Sequence, residues 1–137
     1  MLNRLFTYGT LRVEEPNAEI LKYHSKFQET CITTSKYIMV TQKSKSYPFI
    51  FPAEFWAEME EKAVHVVGDV YLVDETGIQR CDKLEGHPTL YERTKIKVKN
   101  ISGLIFDVEV YLLTKESFES LNKDKILILG GDWKHMD

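Results

Sequence analysis

Val64-His65-Val66-Val67-Gly68-Asp69-Val70-Tyr71-Leu72-Val73 runs straight into Asp74-Glu75-Thr76-Gly77-Ile78-Gln79-Arg80-Cys81-Asp82-Lys83-Leu84-Glu85-Gly86. The first half reads as a buried strand. Val64, Val66, Gly68, Val70 and Leu72 share one face, and His65, Val67, Asp69, Tyr71 and Val73 share the other. Both faces are largely apolar, as a central strand requires. Gly68 in its middle predicts a bulge, or a close approach by another backbone or a ligand. The second half predicts the one convincing helix. Thr76 and Gln79 have capping-box spacing, Ile78, Cys81 and Leu84 form an apolar stripe, and Gly86 suits a left-handed stop. Glu85 therefore falls at the helix's C-terminal edge.

Upstream, Leu5–Tyr8 predicts a short strand that Gly9 breaks at once. Without a Cβ the chain can turn sharply there and offer consecutive N–H groups to a small anion. A plain strand-to-loop turn is the simpler reading of those residues alone. Glu14–Leu21 suits a short helical turn, with Pro16 early and Ile20 and Leu21 as its apolar side. Thr33–Gln42 is rich in β-branched and aromatic residues and predicts a strand. After the polar Lys43–Ser46, Tyr47–Pro52 is an apolar strand bounded by prolines, hence short or at an edge. Ala53–Lys62 has helical composition among strands, either a helical excursion or a flap, with Phe55, Trp56 and Met59 apolar.

Downstream, Thr94–Lys99 alternates lysines with apolar residues, and Leu104, Phe106, Val108, Val110 and Leu112 alternate against Ile105, Asp107, Glu109 and Tyr111. Asn100–Gly103 between them is a natural hairpin loop. Lys115–Lys125 suits one helical turn around Phe118 and Leu121, and Ile126–Leu129 a last short strand. The sum is an α+β chain, one domain over residues 1–137, with about six mostly antiparallel strands and one main helix. Closing those strands into a small barrel removes the edges they would otherwise leave open.

Composition bounds the function. The 43% hydrophobic and 28% charged content is that of a globular chain. A net charge of −3 without a basic block points away from nucleic acid and anionic membranes. No apolar run approaches the ~20 residues of a membrane span, and no signal-peptide pattern opens the chain, so a cytoplasmic protein is expected. Cys31 and Cys81 make no disulfide framework; one bridge is allowed by count, and reduced thiols are the plainer reading. His24, His65, His87 and His135 lack metal-site spacing, the cysteines lack a nucleophile context, and no P-loop or dinucleotide fingerprint occurs. No metal and no cofactor are expected.

Four motifs and an echo carry a further reading. They are Tyr8-Gly9-Thr10-Leu11; Tyr47-Pro48 before an apolar strand; Gly68-Asp69-Val70-Tyr71 before the helix; and Leu84-Glu85-Gly86 followed by Pro88 and Tyr91-Glu92-Arg93. The echo is Gly131-Asp132-Trp133. In this order and spacing the chain resembles the gamma-glutamylcyclotransferase-like family, and within it the gamma-glutamylamine cyclotransferase branch. The resemblance implies a compact β-barrel with helices and a cavity at one end. It implies an enzyme that takes a small γ-glutamyl substrate, a γ-glutamylamine more than a γ-glutamyl amino acid or glutathione, and releases 5-oxoproline and a free amine. Glu85 would be the general acid/base, and Tyr8, Gly9, Thr10 and Leu11 the substrate-binding loop, with Tyr91 and Tyr47 as further substrate contacts.

The chemistry asks for such a carboxylate. The substrate's α-ammonium must lose a proton before it attacks the γ-carbonyl, and the departing amine must gain one. One carboxyl can do both if its pKa lies nearer neutrality than the ~4.3 of free Glu. A helix C-terminus and an apolar surround both raise it, the latter expected from Leu84, Pro88 and Leu90. Two rival readings remain: a non-catalytic small-molecule-binding module using the same cavity, and an interaction domain presenting Phe55 and Trp56 as an exposed apolar patch.

Overall fold

The computed structural model describes residues 2–9, 24–42, 48–120, 125–127 and 131–132, the side chains of 42 and 125–127 excepted. Its strands are β1 (Asn3–Thr7), β2 (Ser25–Gln42), β3 (Phe49–Pro52), β4 (Val64–Val73), β5 (Tyr91–Lys99), β6 (Ile105–Leu113) and β7 (Lys125–Leu127). Its α-helices are α1 (Glu75–Glu85) and α2 (Lys115–Ser120), and Ala53–Lys62 is a 3₁₀ segment. The expected turn at Glu14–Leu21 lies outside the described residues.

Five strands in the order β2-β4-β1-β6-β5 close on themselves through β2 and β5. The seam is short, pairing Ile32 with Lys99 and Thr33 with Val98. β3 and β7 extend the far end of β2. The pairing of β1 with β6 is parallel and the others are antiparallel, so the barrel is mixed.

Strand alternation sorts the core into two layers. Leu5, Val40, Tyr71, Val73, Tyr91, Tyr111 and Leu113 pack with Ile78 and Cys81 of α1 outside the barrel wall. Their neighbours Phe6, Tyr8, Met39, Val70, Val98, Val108, Val110 and Leu112 face the other way and fill the interior. β4 is buried on both faces, as its sequence predicts.

Gly68 makes a close approach rather than a bulge. A Cβ there would lie 2.4 Å from the Thr7 carbonyl oxygen and 2.6 Å from Cζ of Phe6. The register shifts sit in β2 instead, between Phe27 and Glu29 and between Ile32 and Lys36. β2 also begins eight residues before the predicted strand (33 − 25 = 8). Its first third, Ser25–Thr30, is polar except for Phe27 and largely exposed, so apolar alternation could not reveal it.

Two further expectations are corrected. Thr76 is not the helix cap: Asp74 leaves β4 extended, and its Oδ1 accepts the Gly77 N–H at 2.8 Å. A carboxylate at that position satisfies the same orphan donor and suits the positive end of the helix. Phe55 and Trp56 do not form an exposed patch. The 3₁₀ segment kinks at Trp56 (φ −134°, ψ 73°) and turns both rings, half-buried, onto the core. Phe118 of α2 meets Phe51, Phe55 and Trp56 at centroid distances of 4.8, 6.2 and 6.1 Å. No helix among the described residues is long and apolar enough to cross a membrane.

Candidate active site

Glu85 is the last residue of α1. Gly86 follows in the left-handed region (φ 65°, ψ 34°), and its N–H is shared between the Asp82 and Lys83 carbonyls. This ends the helix where the sequence predicts and leaves Glu85 half-buried. Burial pushes its carboxyl up from the ordinary range to about 7. The apolar surround is not the expected one: Leu84 and Leu90 are each 43% exposed and Pro88 is also exposed.

Tyr8, just past β1, is 7% exposed, and its hydroxyl donates to the Tyr111 carbonyl at 2.8 Å. Burial chiefly, and then the charge of Glu85, hold that hydroxyl well above its usual pKa, so it stays protonated. The same charge reaches Cys81, whose thiol burial and then Glu85 push up to about 12. The start of the Tyr8-Gly9 motif and the end of α1 are thus brought together, 77 residues apart in the chain (85 − 8 = 77).

Gly9 fits its place for lack of room. A Cβ there would lie 2.9 Å from Cδ of Pro48, so the motif's glycine packs on the proline of the second motif. Thr10, Leu11 and Tyr47 lie outside the described residues. Tyr91 is 3% exposed and sits in the layer shared with Cys81 and Tyr111, its ring stacked on Phe49 at 6.1 Å.

Sequence reasoning passed over a polar network behind Glu85. The Tyr111 hydroxyl donates to Asp82 Oδ1 at 2.6 Å. Arg93 places Nε 3.6 Å from that oxygen and 4.0 Å from Glu109 Oε1. The Arg93 N–H donates to His87 Nδ1 at 3.0 Å, which pins the turn after Glu85 to β5 and leaves Nε2 as the protonated nitrogen of the neutral ring. Arg93 and Tyr111 are register partners in the β5–β6 ladder, so strand pairing sets the network's geometry. Arg93 belongs to a motif quoted above; Tyr111 carries no local signal. A groove of about 650 Å³ runs nearby, lined in part by Phe55, Pro88, Thr89 and Leu112, but neither Glu85 nor Tyr8 lines it. No cluster of three or more metal-ligating side chains occurs among the described residues.

A mixed five-stranded barrel of this kind has close structural counterparts. A mouse AIG2-like protein superimposes with a TM-score of 0.72 at 22% identity, over 91% of this chain and 88% of that one. The fold is therefore that of the AIG2-like proteins. The sequence goes further, since the model of the family "Gamma-glutamyl cyclotransferase, AIG2-like" matches residues 5–135. The chain belongs to that family, which is a family of enzymes. A Methanocaldococcus jannaschii protein that carries a provisional gamma-glutamylcyclotransferase name is 35% identical over 95% of this chain and 94% of its own length. Gamma-glutamylaminecyclotransferase A of Danio rerio is 28% identical over 87% of this chain and 74% of its own length.

Proposed function

We propose that this chain is a γ-glutamyl cyclotransferase, acting on a γ-glutamylamine or γ-glutamyl amino acid, with Glu85 as its acid and base. The supporting observation is the burial of Glu85 beside Tyr8, with its carboxyl raised to about 7. A carboxyl near neutrality is basic enough to take a proton and acidic enough to return it.

The ionised carboxylate accepts a proton from the substrate's α-ammonium. The freed amine attacks the γ-carbonyl, and a C–N bond closes a five-membered ring. The carbonyl oxygen becomes an oxyanion, stabilised by backbone N–H groups of the Tyr8–Leu11 loop, where one preset donor is worth roughly 2.7–4 kcal/mol. As the oxyanion collapses, the original γ-amide C–N bond breaks and the leaving amine takes the proton from Glu85, whose carboxylate then accepts the second proton of the ring nitrogen and passes it to the amine, which departs as an ammonium. The products are 5-oxoproline and a free amine. Ring closure is intramolecular, so holding the substrate bent and aligned supplies much of the acceleration. Thr10, Leu11, Tyr47 and Tyr91 are proposed to contact the substrate, on the family's motifs.

Release of 5-oxoproline is measured across γ-glutamylamines, including γ-glutamyl-lysine, γ-glutamyl dipeptides and glutathione, beside Glu85→Gln. The expected result is turnover of one class by the wild type. The variant, which keeps the shape and loses the base, is expected to fall by about 10²–10⁴-fold while still binding that substrate in a calorimeter. Undiminished turnover in Glu85→Gln would remove Glu85 from the mechanism. Silence of the folded wild type across the panel, with a ligand still bound, would leave a binding module.

A further inference from the structure

The proposed base is held by a helix turn, and that turn is itself held from below. Asp82 precedes Glu85 by three residues, about one turn of the same helix. Its Oδ1 takes the 2.6 Å hydrogen bond from Tyr111, and Arg93 stands 3.6 Å away on the neighbouring strand. Tyr111 is 3% exposed, in the layer between barrel wall and α1. Its own backbone carbonyl takes the Tyr8 hydroxyl at 2.8 Å. One residue of β6 thus grips the helix end that carries Glu85 with its side chain and the start of the Tyr8–Leu11 loop with its main chain.

We propose that Tyr111 is the positioning residue of this site: through Asp82 it fixes the Glu85 turn, and through its carbonyl it fixes Tyr8, so that base and loop share one anchor. The proposal rests on the reading of Glu85 as the base. Tyr111 touches no reacting atom, and its contribution is geometric. Burial and its bond to Asp82 raise its pKa, so the hydroxyl remains a donor across the working pH range. Donor and acceptor are fixed to rigid elements, a strand in a continuous ladder and a capped helix, the arrangement that holds a catalytic group within fractions of an ångström. A displacement of about 1 Å at a reacting centre is worth about a hundredfold in rate.

Two measurements on the full chain separate this claim from the reading beneath it. The first needs no turnover: the Glu85 carboxyl is titrated by carbon-detected NMR in the wild type and in Tyr111→Phe, with Glu85→Gln identifying the signal. The wild-type midpoint is expected near 7, and in Tyr111→Phe at least about one unit lower, as the loosened turn admits water. The second is 5-oxoproline release by Tyr111→Phe, Asp82→Ala and the double variant. Each is expected to lose about ten- to a hundredfold in kcat with KM held within about threefold. The double variant should lose no more than either alone, because the two side chains act as one unit. Asp82→Asn, whose amide oxygen still accepts the hydroxyl, should recover most of the loss seen in Asp82→Ala. An unchanged Glu85 midpoint in Tyr111→Phe would overturn the proposal, even with a lowered melting temperature. Additive losses in the cycle, or Asp82→Asn no better than Asp82→Ala, would do the same. A wild type that never releases 5-oxoproline refutes the proposed reaction instead, and the titration still decides whether Tyr111 positions Glu85.

Discussion

Tyr8 shows how much one side chain can be constrained on behalf of its neighbours. Its ring fills the barrel interior, its hydroxyl is spent on the Tyr111 carbonyl, and burial, then Glu85's charge, keep that hydroxyl protonated. Tyr8→Phe removes only the oxygen and leaves a buried carbonyl without that donor. It is expected to lower stability by about 1–3 kcal/mol, read from urea melts. Glu85 was legible because a helix-stopping glycine follows it and a family motif surrounds it. The source of its burial was not, since Leu84, Pro88 and Leu90, the expected surround, are all exposed. Tyr111 is the instructive omission. It alternates along β6 with Ile105, Asp107 and Glu109, a face that reads as mostly polar. Its partners Asp82 and Tyr8 lie 29 and 103 residues away in the chain.

Among elements, β4 and α1 announced themselves, and the reason is burial. A strand covered on both faces is apolar on both faces, and a helix with one apolar stripe and a terminal glycine admits few alternatives. β2 hid half its length because it crosses from solvent to core, and a period-2 pattern survives only where one face is wet and the other dry. The 3₁₀ segment hid its role for a related reason: Phe55, Trp56 and Met59 are dispersed around a kink that no helical period describes. Gly68 could be placed but not explained from sequence, because the atoms that demand it belong to β1. Gly68→Ala would press a methyl against the Thr7 carbonyl and the Phe6 ring, a backbone and a packed aromatic, neither able to yield cheaply. A loss of about 3 kcal/mol in unfolding free energy is expected, with a lowered melting temperature.

For the whole molecule, the raised carboxyl of Glu85 is also a statement about stability. Its folded pKa, about 7, exceeds the ~4.3 of the unfolded chain, so the folded state binds this proton more tightly. The stabilisation is complete below about pH 4.3 and is lost as pH rises through 7. Above that, the fold carries a buried charge it would rather not hold. Glu85→Gln never ionises and escapes the loss. The variant should gain on the wild type by on the order of 2 kcal/mol between pH 5 and pH 8, measured by urea unfolding at both. A more stable protein that has lost its reaction is what a functional carboxylate in a desolvated site should leave behind.

The seam between β2 and β5 has a consequence for how the chain is made. The ladder pairs Ile32–Lys99 and Thr33–Val98, with the Thr34 hydroxyl donating to the Lys97 carbonyl, join the two strands. A ribosome emitting this chain from its N-terminus therefore releases β1 to β4 and α1 well before the wall has any means of closing. Until Lys99 emerges, the interior residues of β2 and β4 have no roof. The wall can close only once the β5–β6 hairpin is present, and that hairpin carries both Arg93 and Tyr111. The closed wall and the polar network behind Glu85 therefore depend on the same hairpin.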